Sequence, residues 1–272
     1  MPTIRKCGSL FAILTLLLPA AMWVGCGGAS DTGTSPAPAQ APDSAPATPP
    51  ATPPPAAPAS GSATILGTVT YQGEVPSLPP VSMSADPACA AKHSGPVSPE
   101  VLVVGDGGTL GNVFLKVKSG LPEGRWPAPS EPVIMDQNGC RYTPHVMGIM
   151  VGQPFKILNS DGLLHNVHAL PQVNKPFNMA MPASRTEAIE TFNKSEDVFA
   201  IKCDVHPWMK AWVAVTDHPF FDVTDKDGTF RIANLPAGTY EIEAWHEKLG
   251  TQTASVTVAE GATGSADFTF TK

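Results

Sequence analysis

Charge is scarce in this chain. Only 15% of its 272 residues are Asp, Glu, Lys or Arg, and the formal net charge is −7. No block of lysine or arginine occurs, which argues against a nucleic-acid partner, since phosphate backbones are held by clustered basic side chains. Helical periodicity is missing as well. No long segment keeps its apolar residues at three- and four-residue spacing, so a helical bundle is excluded. An apolar run does occur, from Leu10 to Val24, but it is too short to span a bilayer comfortably. Cysteine is rare, with five residues in all, and an odd number leaves one without a disulfide partner. No Cys-x-x-Cys-His occurs, which excludes covalent haem attachment.

Proline, in contrast, is abundant and unevenly spread. Of 30 prolines, ten fall between Pro36 and Pro58. From Ala29 to Ser62 the chain is almost wholly Ala, Pro, Ser, Thr and Gly. No apolar face exists there to repay the entropy of ordering, so a disordered linker is expected over residues 26–62. Proline density favours extended conformations at about 3.1 Å per residue, a reach on the order of 90 Å. Ahead of it, Arg5 and Lys6 precede the short apolar run, the pattern of an export signal. The run ends Trp23-Val24-Gly25-Cys26-Gly27, which resembles a bacterial lipoprotein signal. That resemblance implies a signal peptide over 1–25, lipidation at Cys26 and attachment to the cell envelope. Gly27 after the cysteine then favours the outer membrane over the inner.

From Ala63 onward the pattern changes to short β-branched and aromatic runs, broken by Gly, Pro, Asn and Asp. Ile65–Tyr71, Phe155–Asn159, Val198–Cys203 and Ala211–Thr216 are examples. An all-β sandwich architecture is expected. A boundary near Asp217 divides it into a larger module over 63–216 and a smaller one over 217–272. Asp225-Lys226-Asp227-Gly228 and Pro236-Ala237-Gly238 are turn chemistry. The first of these lacks the later acidic ligands of a calcium loop, so a tight hairpin is expected there.

The chemistry concentrates in Cys203-Asp204-Val205-His206-Pro207-Trp208-Met209. Thiolate, imidazole and thioether at Cys-x2-His-x2-Met are softer than any zinc set. Two imidazoles and one thiolate with a long axial Met make a blue-copper site, so a second imidazole must come from upstream. Asn159-Ser-Asp-Gly-Leu-Leu-His165-Asn166-Val167-His168 supplies it. On a strand, His165 and His168 point to opposite faces, so only one can reach the metal. Here the chain resembles the cupredoxins, most closely the amicyanin and plastocyanin branch. The His-Asn-Val triplet after Asn159 and the Cys-x2-His-Pro-aromatic-Met loop carry that resemblance. It implies a Greek-key β-sandwich with one mononuclear copper held by His165, Cys203, His206 and Met209. Asn166 is then expected to tie the two ligand loops together. His206 is expected to present its ring edge near the surface. Pro207 and Trp208 would surround it with an apolar patch for a redox partner protein.

The remaining pair, Cys89 and Cys140, is expected to form a disulfide in an exported protein, pinning the insert Ser82–Ser98 to the sheet. A second metal site from Cys89 with His93 and Cys140 with His145 is the competing reading. The C-terminal module resembles the carboxypeptidase regulatory-like, or transthyretin-like, β-sandwich. Asp227-Gly228-Thr-Phe230, Leu235-Pro-Ala-Gly238-Thr-Tyr240 and Ala244-Trp245-His246 carry that resemblance, which leaves room for glycan contact. Ile65-Leu-Gly67-Thr-Val69 resembles the opening strand of the same family, so the copper module is either ahead of that sandwich or inserted within it. The functional expectation is an exported, membrane-anchored copper protein that passes single electrons and is not an enzyme. A carbohydrate-binding or adhesion lipoprotein and a copper-trafficking protein are the alternatives.

Overall fold

The structure is a computed structural model that describes residues 60–272. The signal peptide, Cys26 and all but the last residues of the expected linker lie outside the described residues. Among the described residues, no helix is long and apolar enough to cross a membrane.

Alternation builds the strands. In Pro154–Asn159, Phe155, Ile157 and Asn159 turn inward; in Gly238–His246, Tyr240, Ile242, Ala244 and His246 do so. Side chains of period two place one face in a core and leave the other wet. Nearly every element is a strand, as the absence of helical periodicity implied.

Two sandwiches result, but not where the sequence boundary suggested. Strand Ala63–Gln72 pairs antiparallel with Thr229–Leu235 and parallel with Thr263–Ser265 and Phe268–Thr271. Phe114–Ser119 lies between Phe221–Val223 and Gly238–His246, which continues to Gly250–Val258. The outer sandwich therefore needs strands from both ends of the chain. Its core includes Ile65, Leu115, Tyr240, Ile242 and Phe270. The expected division at 216/217 is corrected accordingly. The second module is inserted between Phe114–Ser119 and Phe221–Val223. The reason is physical: the C-terminal strands alone expose the edges that Ala63–Gln72 and Phe114–Ser119 fill.

The expected hairpin at Asp225–Gly228 is also corrected. The turn forms, with Gly228 N–H donating to Asp225 O at 3.0 Å and Gly228 at φ 68°. Its flanking strands, however, join different sheets, so it is a corner and not a ladder. The next turn crosses back, and the Tyr240 hydroxyl donates to Pro236 O at 2.7 Å across it.

The inserted module stacks two sheets. One runs Phe177–Met181, His165–Ala169, Glu196–Lys202, Lys210–Thr216, Val146–Met150; the other runs Glu187–Thr191, Pro154–Asn159, Val133–Gln137, Tyr142–Thr143. Between them lie Met135, Tyr142, Ile149, Phe155, Ile157 and Val213, all nearly solvent-free. The modules meet through Phe114, Val146 and Ala214, with Phe221, Trp212 and Trp245 packed around them. A Cβ on Gly148 would sit 2.4 Å from the Phe221 ring, so glycine is what lets that ring in.

Burial predicts an acid response. His246 is 1% exposed, and desolvation lowers its pKa to about 4, against the opposing pull of Glu247. In the unfolded chain a histidine titrates near ~6.5. Between these values the unfolded state binds a proton that the folded state refuses, so stability falls as pH drops through this window. His218 and His165, also lowered by burial, act in the same sense. The urea midpoint should therefore decline from about pH 6.5 to about pH 4. His246→Leu should flatten part of that slope, and an unchanged slope would place the acid sensitivity elsewhere.

Candidate metal centre

The site forms where two strand ends and one tight loop converge. Strand His165–Ala169 is central in its sheet, between Phe177–Met181 and Glu196–Lys202. His165 starts it and points inward, with no exposure; His168 points outward and pairs with Asp204 at 2.9 Å. The opposite parity of the two histidines is thus realised. Asn159 shapes the approach, donating from its amide to Leu163 O and Met181 O, both at 2.9 Å.

The loop 203–209 closes on itself. Cys203 N–H donates to Met209 O at 3.2 Å, and Met209 N–H donates to His206 O at 2.9 Å. The backbone N–H of His206 points at Cys203 Sγ, 3.3 Å away. Cys203, His206 and Met209 are all buried, at 3%, 2% and 1% exposure. Pro207 stays exposed. Trp208 is half-buried, its indole N–H donating to Cys140 O at 3.1 Å and its ring centred 5.1 Å from that of His206.

Three donors meet at the centre. The Nδ1 atoms of His165 and His206 are 3.0 Å apart, and Cys203 Sγ is 4.0 Å from His206 Nδ1. One ligand atom from each of His165, Cys203 and His206 lies within 4.8 Å of the others. Metal bonds of about 2.0–2.3 Å to nitrogen and sulfur can span a triangle of that size. The outer Nε2 of each ring already faces a carboxylate: Asp161 at 2.8 Å for His165, Asp86 at 3.0 Å for His206. An Nε2–H donated outward leaves an Nδ1 lone pair aimed inward on each ring. Two lone pairs facing each other are bridged by a shared proton or by a metal ion, and with the Cys203 thiol beside them the donor set fits a soft, thiolate-binding metal. Met209 is buried in the same core as Cys203, where a thioether is available to that metal.

Electrostatics follow from these contacts. Burial lowers the His165 pKa, and Asp161 only partly offsets it. Burial pushes the Asp161 carboxyl upward, but the N–H of Cys140, the His165 ring and Lys92 outweigh it and hold it below the ordinary value. The His206 ring holds the Asp86 carboxyl below its ordinary value, helped by the Cys89 N–H. Burial raises the Tyr142 pKa strongly, and the Cys203 thiolate adds to it. The Tyr142 hydroxyl donates to Asn166 O.

Asn166 joins the loops as expected. Its Oδ1 accepts from Asp204 N–H at 3.1 Å, while its amide reaches Asn178 Oδ1 at 2.5 Å and Met179 O at 3.3 Å. Cys89 and Cys140 are bonded to each other, closing a span of 51 residues. In the chain-entropy picture, a loop of that size stabilises by about 4 kcal/mol. The competing second site does not assemble. His93 Nε2 faces Gly139 O at 2.8 Å, and His145 Nε2 faces Glu247 at 2.5 Å.

One expectation fails. His206 does not show its edge to solvent, because the segment carrying Asp86 and the short helix Pro87–Ala90 covers it. Cys89 Sγ lies 3.6 Å from His206 Nε2. The disulfide holds this insert over the loop 203–209 and not simply against a sheet. The two carboxylates were also missed from sequence. Asp161 reads as an ordinary turn acid in Asn-Ser-Asp-Gly, and Asp86 stands 120 residues from its histidine. A cavity of about 250 Å³ adjoins Pro207, Trp208 and Met209; on its wall Arg141 pairs with Glu100 and His145 with Glu247, beside Lys210 and Lys248.

Residues 207–271 match the carboxypeptidase regulatory-like domain. That match covers the C-terminal strands of the outer sandwich but not Ala63–Gln72 or Phe114–Ser119, which complete it. No curated protein matches the chain. Among solved structures, the copper-containing nitrite reductase from Thermus scotoductus SA-01 is similar over 37% of this chain and 26% of its own, at 22% identity and TM-score 0.30. The chain thus spans about a quarter of that reductase's length. A methionine-to-alanine mutant of amicyanin with Cu(I) is similar over 37% of this chain and 97% of its own, at 19% identity and TM-score 0.28. A purple cupredoxin from Nitrosopumilus maritimus is similar over 28% and 82%, at 25% identity and TM-score 0.24.

Asn166→Ala should leave the Asp204 N–H without its acceptor, at a cost of about 1–3 kcal/mol. A urea titration measures the loss, and amide exchange at Asp204 should quicken. An unchanged midpoint and exchange rate would mean that Asn166 does not hold the loops together.

Proposed function

We propose that this chain is a copper protein that passes single electrons. His165, Cys203 and His206 would form the ligand plane, with Met209 as the axial donor. The observation that carries this reading is the 3.0 Å approach of two imidazole nitrogens beside a buried thiol. Two imidazoles, a thiolate and a weak axial thioether are the donors of a blue-copper electron-transfer site. Copper supplies a one-electron couple there. The protein's own part is to hold the donors so that little moves when the charge changes. Close packing around Cys203, and the hydrogen bonds through Asn166 and Trp208, support that rigidity.

A closed site favours electron transfer over copper trafficking. Delivery of an ion needs ligand exchange, and His206 at 2% exposure offers no open edge for it. A redox partner protein would meet the loop at exposed Val205 and Pro207, beside the covering insert. The same reading makes the chain a carrier, with no reaction of its own to catalyse. It also keeps the export signal, the lipid at Cys26 and the proline-rich spacer, which together would hold the copper head away from an outer membrane. Contact with glycans would fall to the outer sandwich.

The test is spectroscopic. Adding Cu(II) to metal-free protein should give intense absorption near ~600 nm from copper–thiolate charge transfer. Cys203→Ala should abolish the colour, while His168→Ala, whose side chain faces outward, should leave the band in place. A colourless Cu(II) complex of the unmodified chain would overturn the assignment.

A further inference from the structure

Two carboxylates stand behind the ligand imidazoles, each tied to one half of the same disulfide. Asp86 Oδ2 accepts from His206 Nε2 at 3.0 Å. Its Oδ1 accepts from the backbone N–H groups of Ala88 and Cys89, at 2.9 and 3.3 Å. Asp161 Oδ2 accepts from His165 Nε2 at 2.8 Å and from Cys140 N–H at 2.7 Å. Its Oδ1 accepts from Gly139 N–H at 2.7 Å. Lys92, on the same insert as Cys89, reaches Asp161 at 3.1 Å. The chain of contacts is a closed ring. It runs from His206 through Asp86, Cys89, Cys140 and Asp161 to His165, and back across the 3.0 Å gap between the two Nδ1 atoms.

We propose that Asp86 and Asp161 are positioning residues of the metal centre, and that the Cys89–Cys140 bridge serves to hold both in place. This rests on the metal-binding reading above. Each carboxylate fixes a ring twice over. It sets the tautomer, so that Nδ1 carries the lone pair, and it sets the ring plane, so that the lone pair faces Cys203. A carboxylate on the far nitrogen also makes the near nitrogen a stronger donor. A stronger donor favours the more highly charged ion, so the pair stabilises Cu(II) over Cu(I). The bridge supplies what the sequence distance cannot. Asp86 and His206 are 120 residues apart, and the insert carrying Asp86 has only a four-residue helix of its own. Bonded to Cys140, whose own N–H binds Asp161, the insert is anchored at the point where the second carboxylate works.

The decisive variant is Asp86→Asn, because Asp86 is partly exposed and its loss leaves the core intact. Cu(II) affinity should fall about 10–100-fold, with a smaller loss for Cu(I). Each tenfold change in that ratio raises the reduction potential by about 59 mV. Asp161→Asn should act in the same direction. Removing the bridge by Cys89→Ala with Cys140→Ala should reproduce the rise in potential with both carboxylates still present. In the Cu(I)-loaded protein, the Nε2 proton of His206 should be protected from solvent exchange, and Asp86→Asn should expose it. Equal losses for both copper states, with an unprotected Nε2 proton in the unmodified chain, would overturn the proposal. If the double alanine variant does not fold, Asp86→Asn alone decides. If the protein forms no coloured copper complex, the electron-transfer reading fails by itself. The same Asn variants titrated with Zn(II) then test the positioning role, since a 10–100-fold loss would uphold it and no loss would sink it.

Discussion

Two imidazole nitrogens 3.0 Å apart in a buried pocket cannot both keep their lone pairs without a cation between them. That one contact organises the inserted module. The outer nitrogen of each ring faces a carboxylate, which accepts a proton from it. The contact demands that the rings cannot swing apart, and the loop 203–209 is closed by its own backbone hydrogen bonds. It demands exclusion of water, and the insert around Asp86 supplies a cover. Burying charge is costly unless the charge is paired. Here the pairing partners of the site are themselves fixed by backbone N–H groups.

The outer sandwich gives this arrangement its frame. Its strands come from before and after the insertion, so both ends of the inserted module are held in one β-structure. Contacts between the modules reinforce that. His145, next to the strand Val146–Met150, donates from Nε2 to the Glu247 carboxylate beyond the far end of Gly238–His246, and Lys116 pairs with Asp197 at 2.6 Å. Trp212 and Trp245 meet edge to face, with ring centroids 5.2 Å apart. A linker between two separate domains would leave their orientation free, whereas an insertion with packed aromatic contacts restricts it.

Much of this was legible in the chain. The absence of helical spacing and the short alternating runs implied an all-β fold, because strand period is a local property. Cys-x2-His-x2-Met was readable as a cluster of donor side chains, because short spacing brings them together whatever the rest of the fold does. The opposite facing of His165 and His168 followed from strand parity alone. The resemblance of Ile65–Val69 to an opening strand left insertion open beside a boundary near Asp217, but the pairing of residues 63–72 with 229–235 that decides for insertion is set by the fold. The turn at Asp225–Gly228 was found, yet its partner strands were not, because turn chemistry fixes a bend and not the sheet it leads to.

The sequence by itself determined the donor types, the strand periodicity and an odd cysteine count that leaves at least one thiol without a partner in the chain. All of these depend on residues within a few positions of one another, or on simple counting. Only the tertiary structure decided that the inner module is inserted, that His206 is covered, and that Asp86 and Asp161 stand behind the two rings. Those outcomes depend on hydrogen bonds and a disulfide between distant parts of the chain. Asp161 lies four residues from His165 but looks like a turn acid until the fold closes; Asp86 meets His206 across 120 residues, on the insert that also carries Cys89 of the bridge.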